Sequence, residues 1–205
     1  MRDKAHWERV YTEKNADSVS WYQEHAASSL DLIHRTGAKP SAAIIDVGGG
    51  ASTLVDDLLQ GGFSDITVLD LSVAALQVAQ SRLGARANAI KWLEADITRV
   101  ELPMHRFDLW HDRAVFHFLT DSADRERYLQ AVERAVKPGG FVIVGTFAED
   151  GPDLCSGLPV QRYTAQDLHG TFGAQYELLG QAKEDHRTPF GTVQKFIYCY
   201  CRKLI

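Results

Sequence analysis

From residue 40 onward, short apolar runs alternate with longer amphipathic stretches, the rhythm of βαβ units around a mostly parallel sheet. Residues 42–47 predict a first buried strand, after which Gly48, Gly49 and Gly50 lead into a helix that reaches about Gln60 and stops at Gly61 and Gly62. Residues 66–69 predict the second strand. Ser72 has the chemistry of an N-cap for a helix over residues 73–83, and residues 89–93 predict the third strand. A short fourth strand spans residues 107–111 and a charge-rich helix residues 121–136. Lys137, Pro138, Gly139 and Gly140 then break the helix ahead of a fifth strand over residues 141–147. That strand is almost wholly apolar, which suits a sheet interior covered on both faces.

The tail has a different pattern. Residues 163–172 predict a helix, and residues 176–182 and 192–202 two strands joined by a loop containing Pro189 and Gly191, an antiparallel hairpin that would finish the sheet. The first 36 residues are amphipathic and helical in places and concentrate Trp7, Tyr11, Trp21 and Tyr22, as expected of a lid. The fold class is therefore α/β. The 205 residues, 45% hydrophobic, suffice for one substantial core, with residues 40–147 as its centre and residues 148–205 as a flanking loop, helix and hairpin.

Composition narrows the function. The net charge of −5 comes with scattered Lys and Arg, so no footprint for nucleic acid is expected. No hydrophobic signal region opens the chain and no apolar run reaches the roughly 20 residues needed to span a bilayer, so a cytosolic location and no membrane partner are expected. Cys155, Cys199 and Cys201 form an odd set, expected as reduced thiols. Cys199 and Cys201 would share one face of a strand, and no zinc-ligand spacing accompanies them, so no metal is expected.

The informative cluster is Asp46-Val47-Gly48-Gly49-Gly50, where the first strand should turn into its helix. Glycines there allow a tight turn and close approach of a ligand to the backbone. The motif departs from the dinucleotide fingerprint: Thr53 occupies the position of the last glycine, and the acidic Asp46 precedes the turn. A carboxylate repels a pyrophosphate but attracts the ammonium of a methionine moiety, which favours S-adenosylmethionine (SAM) over a nicotinamide dinucleotide. Asp70 ends the second strand, where an acid accepts ribose hydroxyl hydrogens. Asp96 follows the third, placed for the exocyclic amine of adenine with Ala95 or Ile97 against the ring.

These segments, with Phe107-Asp108-Leu109 and the helix running into Lys137-Pro138-Gly139-Gly140, resemble the ordered motifs of class I SAM-dependent methyltransferases over about residues 40–147. The resemblance implies a Rossmann-like, mostly parallel seven-stranded sheet with a reversed strand in its terminal hairpin. It implies that Asp46 and Gly48 to Gly50 face the methionine part, Asp70 with Leu71 the ribose, and Ala95, Asp96 and Ile97 the adenine. His111, Trp21 and Tyr22 join the expected cofactor contacts. Trp7-Glu8-Arg9-Val10-Tyr11 and Val19-Ser20-Trp21-Tyr22-Gln23 also resemble a subgroup that includes bacterial enzymes of unassigned substrate and eukaryotic protein-lysine methyltransferases.

The acceptor is expected beyond the fourth strand, in residues 111–119. His117 is the candidate general base, with core packing between two phenylalanines as the alternative. Arg113 is the candidate anchor for an anionic substrate, with pairing to a local acid as the alternative. Residues 184–191 are expected as a hairpin turn forming a second wall, with His186 as its candidate catalytic group. The aromatic cluster near the start would close over SAM or make cation–π contact with a lysine acceptor. Compact size favours a small-molecule acceptor over a protein lysine; a NAD-dependent oxidoreductase and a non-catalytic SAM-binding module are the remaining alternatives.

Overall fold

A computed structural model of the protein describes residues 4–205. Its centre is a seven-stranded sheet in the order β3-β2-β1-β4-β5-β9-β8. The strands are β1 (Ala43–Val47), β2 (Asp65–Asp70), β3 (Lys91–Glu94), β4 (Phe107–Arg113), β5 (Val136–Phe147), β8 (Tyr176–Arg187) and β9 (Val193–Lys203), while β6 (Leu154–Cys155) and β7 (Leu158–Pro159) make a separate small hairpin. Strands β1 to β5 run parallel, and β9 lies antiparallel between β5 and β8, which gives the expected reversed strand.

Strand alternation sorts the core onto two faces. Ile45, Val47, Trp110, Val142 and Val144 pack on one side with Tyr128 and Val132 of α5 (Ser122–Ala135) and Leu168 of α6 (Ala165–Gly170). Ile44, Leu109 and Ile143 pack on the other, against α2 (Ala27–Arg35), α3 (Leu54–Gln60) and α4 (Val73–Leu83). Burial on both faces explains why β1 and β5 read as continuous apolar runs. Ser72 caps α4 as expected, its hydroxyl accepting from the Ala75 N–H. Cys199 and Cys201 are free, buried thiols on one face of β9, their sulfurs 3.0 Å apart.

Besides shifts of one or two residues at other ends, such as β3 starting at Lys91, four boundaries differ from the sequence pattern. Lys137 to Gly140 join β5 through a register shift rather than a loop, with Gly139 at φ +77°. Strand β4 continues to Arg113 because Asp112 and Arg113 pair with Val144 and Gly145. Tyr163 bridges Ala148, so the late helix starts only at Ala165, capped by Thr164. Strand β8 runs on through Arg187, so residues 184–187 are ladder residues and the turn is confined to the Thr188–Thr192 region. Among the described residues, no helix is long and apolar enough to cross a membrane.

Ahead of the sheet, α1 (Lys4–Glu13) docks on α4, and the chain from Asn15 to Ala26 crosses the carboxyl ends of the strands before α2.

Candidate cofactor and acceptor site

A cleft opens where β1, β2, β3 and β4 end, the position at which open parallel sheets bind ligands. Its floor is Val47, Gly48, Leu69, Asp70, Leu71, Ala95 and Ile97, and its roof is Trp7, Tyr11, Trp21 and Phe118. A second, contiguous recess holds Asp46, Gly49, Ser29 and His111, with Tyr22 and Trp21 above.

The glycines are required by space as well as by backbone. Gly48 has φ +72°, and a Cβ there would lie 2.0 Å from Val115 Cγ2. A Cβ on Gly49 would lie 2.3 Å from Asp46 Oδ2, and one on Gly50 2.5 Å from Asp70 Oδ2. The loop thus presses its backbone onto both carboxylates.

Asp46 is buried at the end of β1. Its Oδ1 lies 2.7 Å from His111 Nδ1, and His111 Nε2 lies 2.8 Å from the Ser29 hydroxyl, so the histidine bridges the two. The other oxygen, Oδ2, has no hydrogen-bond partner among the described residues. A buried oxygen left in this way is costly unless a ligand donor meets it. An ammonium group fits that vacancy in its hydrogen bonding.

Asp70 lies at the corresponding end of β2, its Oδ1 accepting from the Ser72 N–H at 2.8 Å. Burial pushes its pKa up to about 7, against the lowering effect of the Ser72, Gly50 and Leu71 N–H groups. A pair of ligand hydroxyls would favour the ionised form. The Asp96 Oδ1 accepts from the Thr98 N–H and hydroxyl at 2.9 and 2.7 Å, and its neighbours Ala95 and Ile97 line the cleft.

Three catalytic expectations meet a different geometry. His117 is fully buried, packed on Phe118 and Phe147, and its Nδ1 accepts the Phe147 N–H at 3.3 Å. Burial, reinforced by the Arg113 charge, depresses its pKa to about 3, so it is neutral and sealed from the cleft rather than poised as a base. Arg113 does line the cleft, but its donors are engaged within the fold: Nε to Tyr198 Oη at 2.9 Å, one Nη to Glu184 at 3.0 Å, the other to the Trp21 carbonyl at 3.4 Å. Its guanidinium also stacks over Phe196 at 4.2 Å. His186 is buried outside the cleft with Nε2 2.7 Å from the Ser20 carbonyl, so it holds the crossing segment.

The contacts that build the site join residues remote in the chain, and for Glu8 and Asp112 no local pattern signalled them. Glu8 of α1 accepts from the Val73 and Ala74 N–H groups at the start of α4. Asp112 accepts from the Val115 N–H at 2.8 Å and from Tyr128 Oη at 2.7 Å, which fixes the turn at Ala114, φ +74°, and so aims Val115 at Gly48. Cys155 joins the cleft wall from the β6–β7 hairpin.

Residues 45–144, about half the chain, match the methyltransferase domain family. An eEF1A lysine and N-terminal methyltransferase of Mus musculus is 26% identical over 150 residues, 70% of this chain and 21% of that protein. A ubiquinone/menaquinone biosynthesis C-methyltransferase of Coxiella burnetii is 30% identical over 135 residues, 63% of this chain and 50% of that one. The chain thus spans about a fifth of the first relative's length and half of the second's. Among solved structures, the Burkholderia thailandensis 1,6-didemethyltoxoflavin-N1-methyltransferase with its substrate and S-adenosylhomocysteine (SAH) bound superposes with a TM-score of 0.72, at 18% identity, covering 98% of this chain and 87% of that one. A structure concerned with conversion of a disulfide bond into a thioacetal group during echinomycin biosynthesis superposes with a TM-score of 0.79, at 17% identity, covering 98% and 92%. With the sheet order and the paired acids, this match identifies a domain of the class I methyltransferase fold. Residues 45–144 belong to the methyltransferase domain family, and SAM is the cofactor of that family.

Proposed function

We propose that this chain transfers the methyl group of SAM to a small-molecule acceptor held under the N-terminal aromatic roof. The unpartnered Asp46 Oδ2 is the observation that carries the cofactor assignment, because it sits beside the glycine turn where an ammonium would complete its hydrogen bonding. Asp46, oriented by His111 and Ser29, would take the methionine ammonium. Asp70 would take the ribose hydroxyls, and Ala95 with Ile97 would flank the adenine. Bound SAM supplies a methyl carbon activated by its sulfonium. The protein's part is alignment and exclusion of water, for which the roof of Trp7, Tyr11 and Trp21 is suited.

A cleft roofed by aromatic side chains favours a small acceptor over a polypeptide, and the quinone-pathway and toxoflavin enzymes that this chain resembles act on small molecules by their names. A protein-lysine acceptor is the second reading, favoured by the 150-residue likeness to the eEF1A enzyme. Parallel calorimetric titrations with SAH, SAM and NADH test the cofactor, with binding of the first two expected. Isotope-labelled methyl transfer into the small-molecule or the protein fraction of a cell extract then separates the two acceptor readings.

A further inference from the structure

The groups assigned to the cofactor and the remaining walls occupy different parts of the cleft. Asp70, Ala95 and Ile97 follow β2 and β3, whereas Arg113 to Phe118 end or follow β4 and Cys155 follows β5. In the sheet order β3-β2-β1-β4-β5 these two groups fall on opposite sides of the Gly48 turn, which ends β1. Adenosine on the β2–β3 side leaves the methyl acceptor the β4–β5 side, bounded by Trp7, Trp21, Phe118 and Cys155.

Two arms meet over that side. One is α1: Trp7 packs edge to face on Phe118 at 5.2 Å, and His6 on Trp7 at 5.1 Å. The other is the β6–β7 hairpin, whose two-residue turn holds Ser156 at φ +51° and Gly157 at φ +77°. Alternation along β6 leaves Leu154 exposed and turns the buried Cys155 onto the cleft. Just past the hairpin, the Gln161 N–H donates to the His117 carbonyl at 2.7 Å, which ties its base to the segment carrying Phe118. The arms touch where His6 Nε2 lies 3.0 Å from the Ser156 hydroxyl oxygen. Among the hydrogen bonds of the described residues, this is the one that spans them. The crossing segment beside them is anchored more heavily, at Ser20 by His186 and Gln194, at Trp21 by Arg113 and at Gln23 by Glu184. The seam between α1 and the hairpin is therefore the side of the roof that parts at least cost. Both arms also lie outside residues 45–144, the part shared with the methyltransferase domain family, whereas the cofactor floor lies inside it. A shared floor under walls of the chain's own is how one fold serves different acceptors.

We propose that the acceptor enters between α1 and the β6–β7 hairpin, and that the His6–Ser156 contact sets the size of molecule admitted to the methyl-transfer side. This rests on the cofactor assignment above.

The test uses Cys155 as its own reporter, since it faces the cleft while Cys199 and Cys201 are buried in the sheet. The full chain is saturated with SAH, and labelling at residue 155 by methyl methanethiosulfonate and by the bulkier fluorescein maleimide is followed by peptide mass spectrometry. The small reagent is expected to label with SAH bound, because the nucleoside lies on the other side of Gly48. Ser156→Ala should raise the maleimide rate by about fivefold relative to that of the small reagent, with SAH affinity within about twofold of the unsubstituted chain. Taking the ratio cancels any change in the thiol itself. His6→Ala should have the same effect from the other arm. Labelling by the small reagent that SAH abolishes, or an unchanged rate ratio in either variant, overturns the proposal and leaves the cofactor assignment standing. A chain that binds no SAH in calorimetry overturns both.

Discussion

The Glu8 carboxylate accepts from the backbone N–H groups of Val73 and Ala74, at 2.7 and 3.1 Å, and so ties α1 to the first turn of the helix that follows Asp70. A carboxylate there meets both unsatisfied donors and the positive end of the helix. Burial raises its pKa, but the Ala74 and Val73 N–H groups outweigh that and the net shift is downward. The docking is therefore present above the ordinary glutamate range and lost as pH falls through the depressed value. Glu8→Ala should increase hydrogen exchange over residues 4–13 and weaken retention of SAH, while β1 to β5 stay protected. Unchanged exchange in α1 would show that the roof is held by its aromatic contacts alone.

Asp70 gives a pH dependence of the opposite sign. In the free protein its pKa is raised to about 7, so it binds a proton that the unfolded chain has already released, and its contribution to stability declines as pH rises from about 4 to about 7. If ribose hydroxyls bind the ionised form, SAH affinity should rise by up to about tenfold per pH unit below 7 and level off above it. Asp70→Asn should flatten that profile, and Asp70→Ala should cost about 1–3 kcal/mol of binding. Calorimetry from pH 5 to 8 measures both.

Gly48→Ala should disable the cofactor turn. Its Cβ would lie 2.0 Å from Val115 Cγ2 on a backbone at φ +72°, and overpacking of this kind costs about 1–3 kcal/mol. Val115→Ala in the same chain should recover part of the melting temperature by removing the clash but not the backbone strain. Full recovery would mean that the positive φ carries no cost here.

His117 should matter for stability at acid pH. Its folded pKa of about 3 lies below the unfolded value, so below about pH 6.5 the unfolded state binds the extra proton and stability falls with pH. One group of this kind contributes about 1.4 kcal/mol per pH unit within that window. Asp112, raised to about 6 by burial, works in the other direction between about pH 4 and 6, so only the difference between variants isolates the histidine. His117→Phe should melt with a shallower acid slope than the unsubstituted protein. An unchanged slope would show that the ring is reached by water.

The pair of Arg113 and Glu184 anchors the segment that carries Trp21, since Glu184 accepts from Gln23 and Arg113 donates to the Trp21 carbonyl. Both side chains are about nine-tenths buried, and removing one partner of such a pair typically costs about 3–5 kcal/mol. Glu184→Ala should lower the melting temperature and expose Trp21, seen as a red shift of its fluorescence. A stable variant with native emission would show that the segment is held elsewhere.

The order of elements, the N-cap at Ser72 and the three acids at strand ends were legible in the sequence, because each follows from a local rule: alternation of burial, glycine at a turn, an oxygen placed to meet free N–H groups. The terminal hairpin was legible for the same reason, as apolar alternation on both sides of a turn, while its reversed strand β9 followed from the family resemblance. Only the tertiary structure decided what the ionisable groups do. His111 and His117 lie six residues apart with similar neighbours, yet one orients Asp46 and the other is sealed against Phe147, because β4 carries His111 on to Asp46 while a helical turn after Ala114 sends His117 inward. Arg113 and His186 look equally available in the chain. They are occupied by Glu184, Tyr198 and Ser20, partners 71, 85 and 166 residues away, which no local pattern encodes. Sequence fixes which groups can bond; burial and proximity across the sheet fix which of them already have, and so which remain for a ligand.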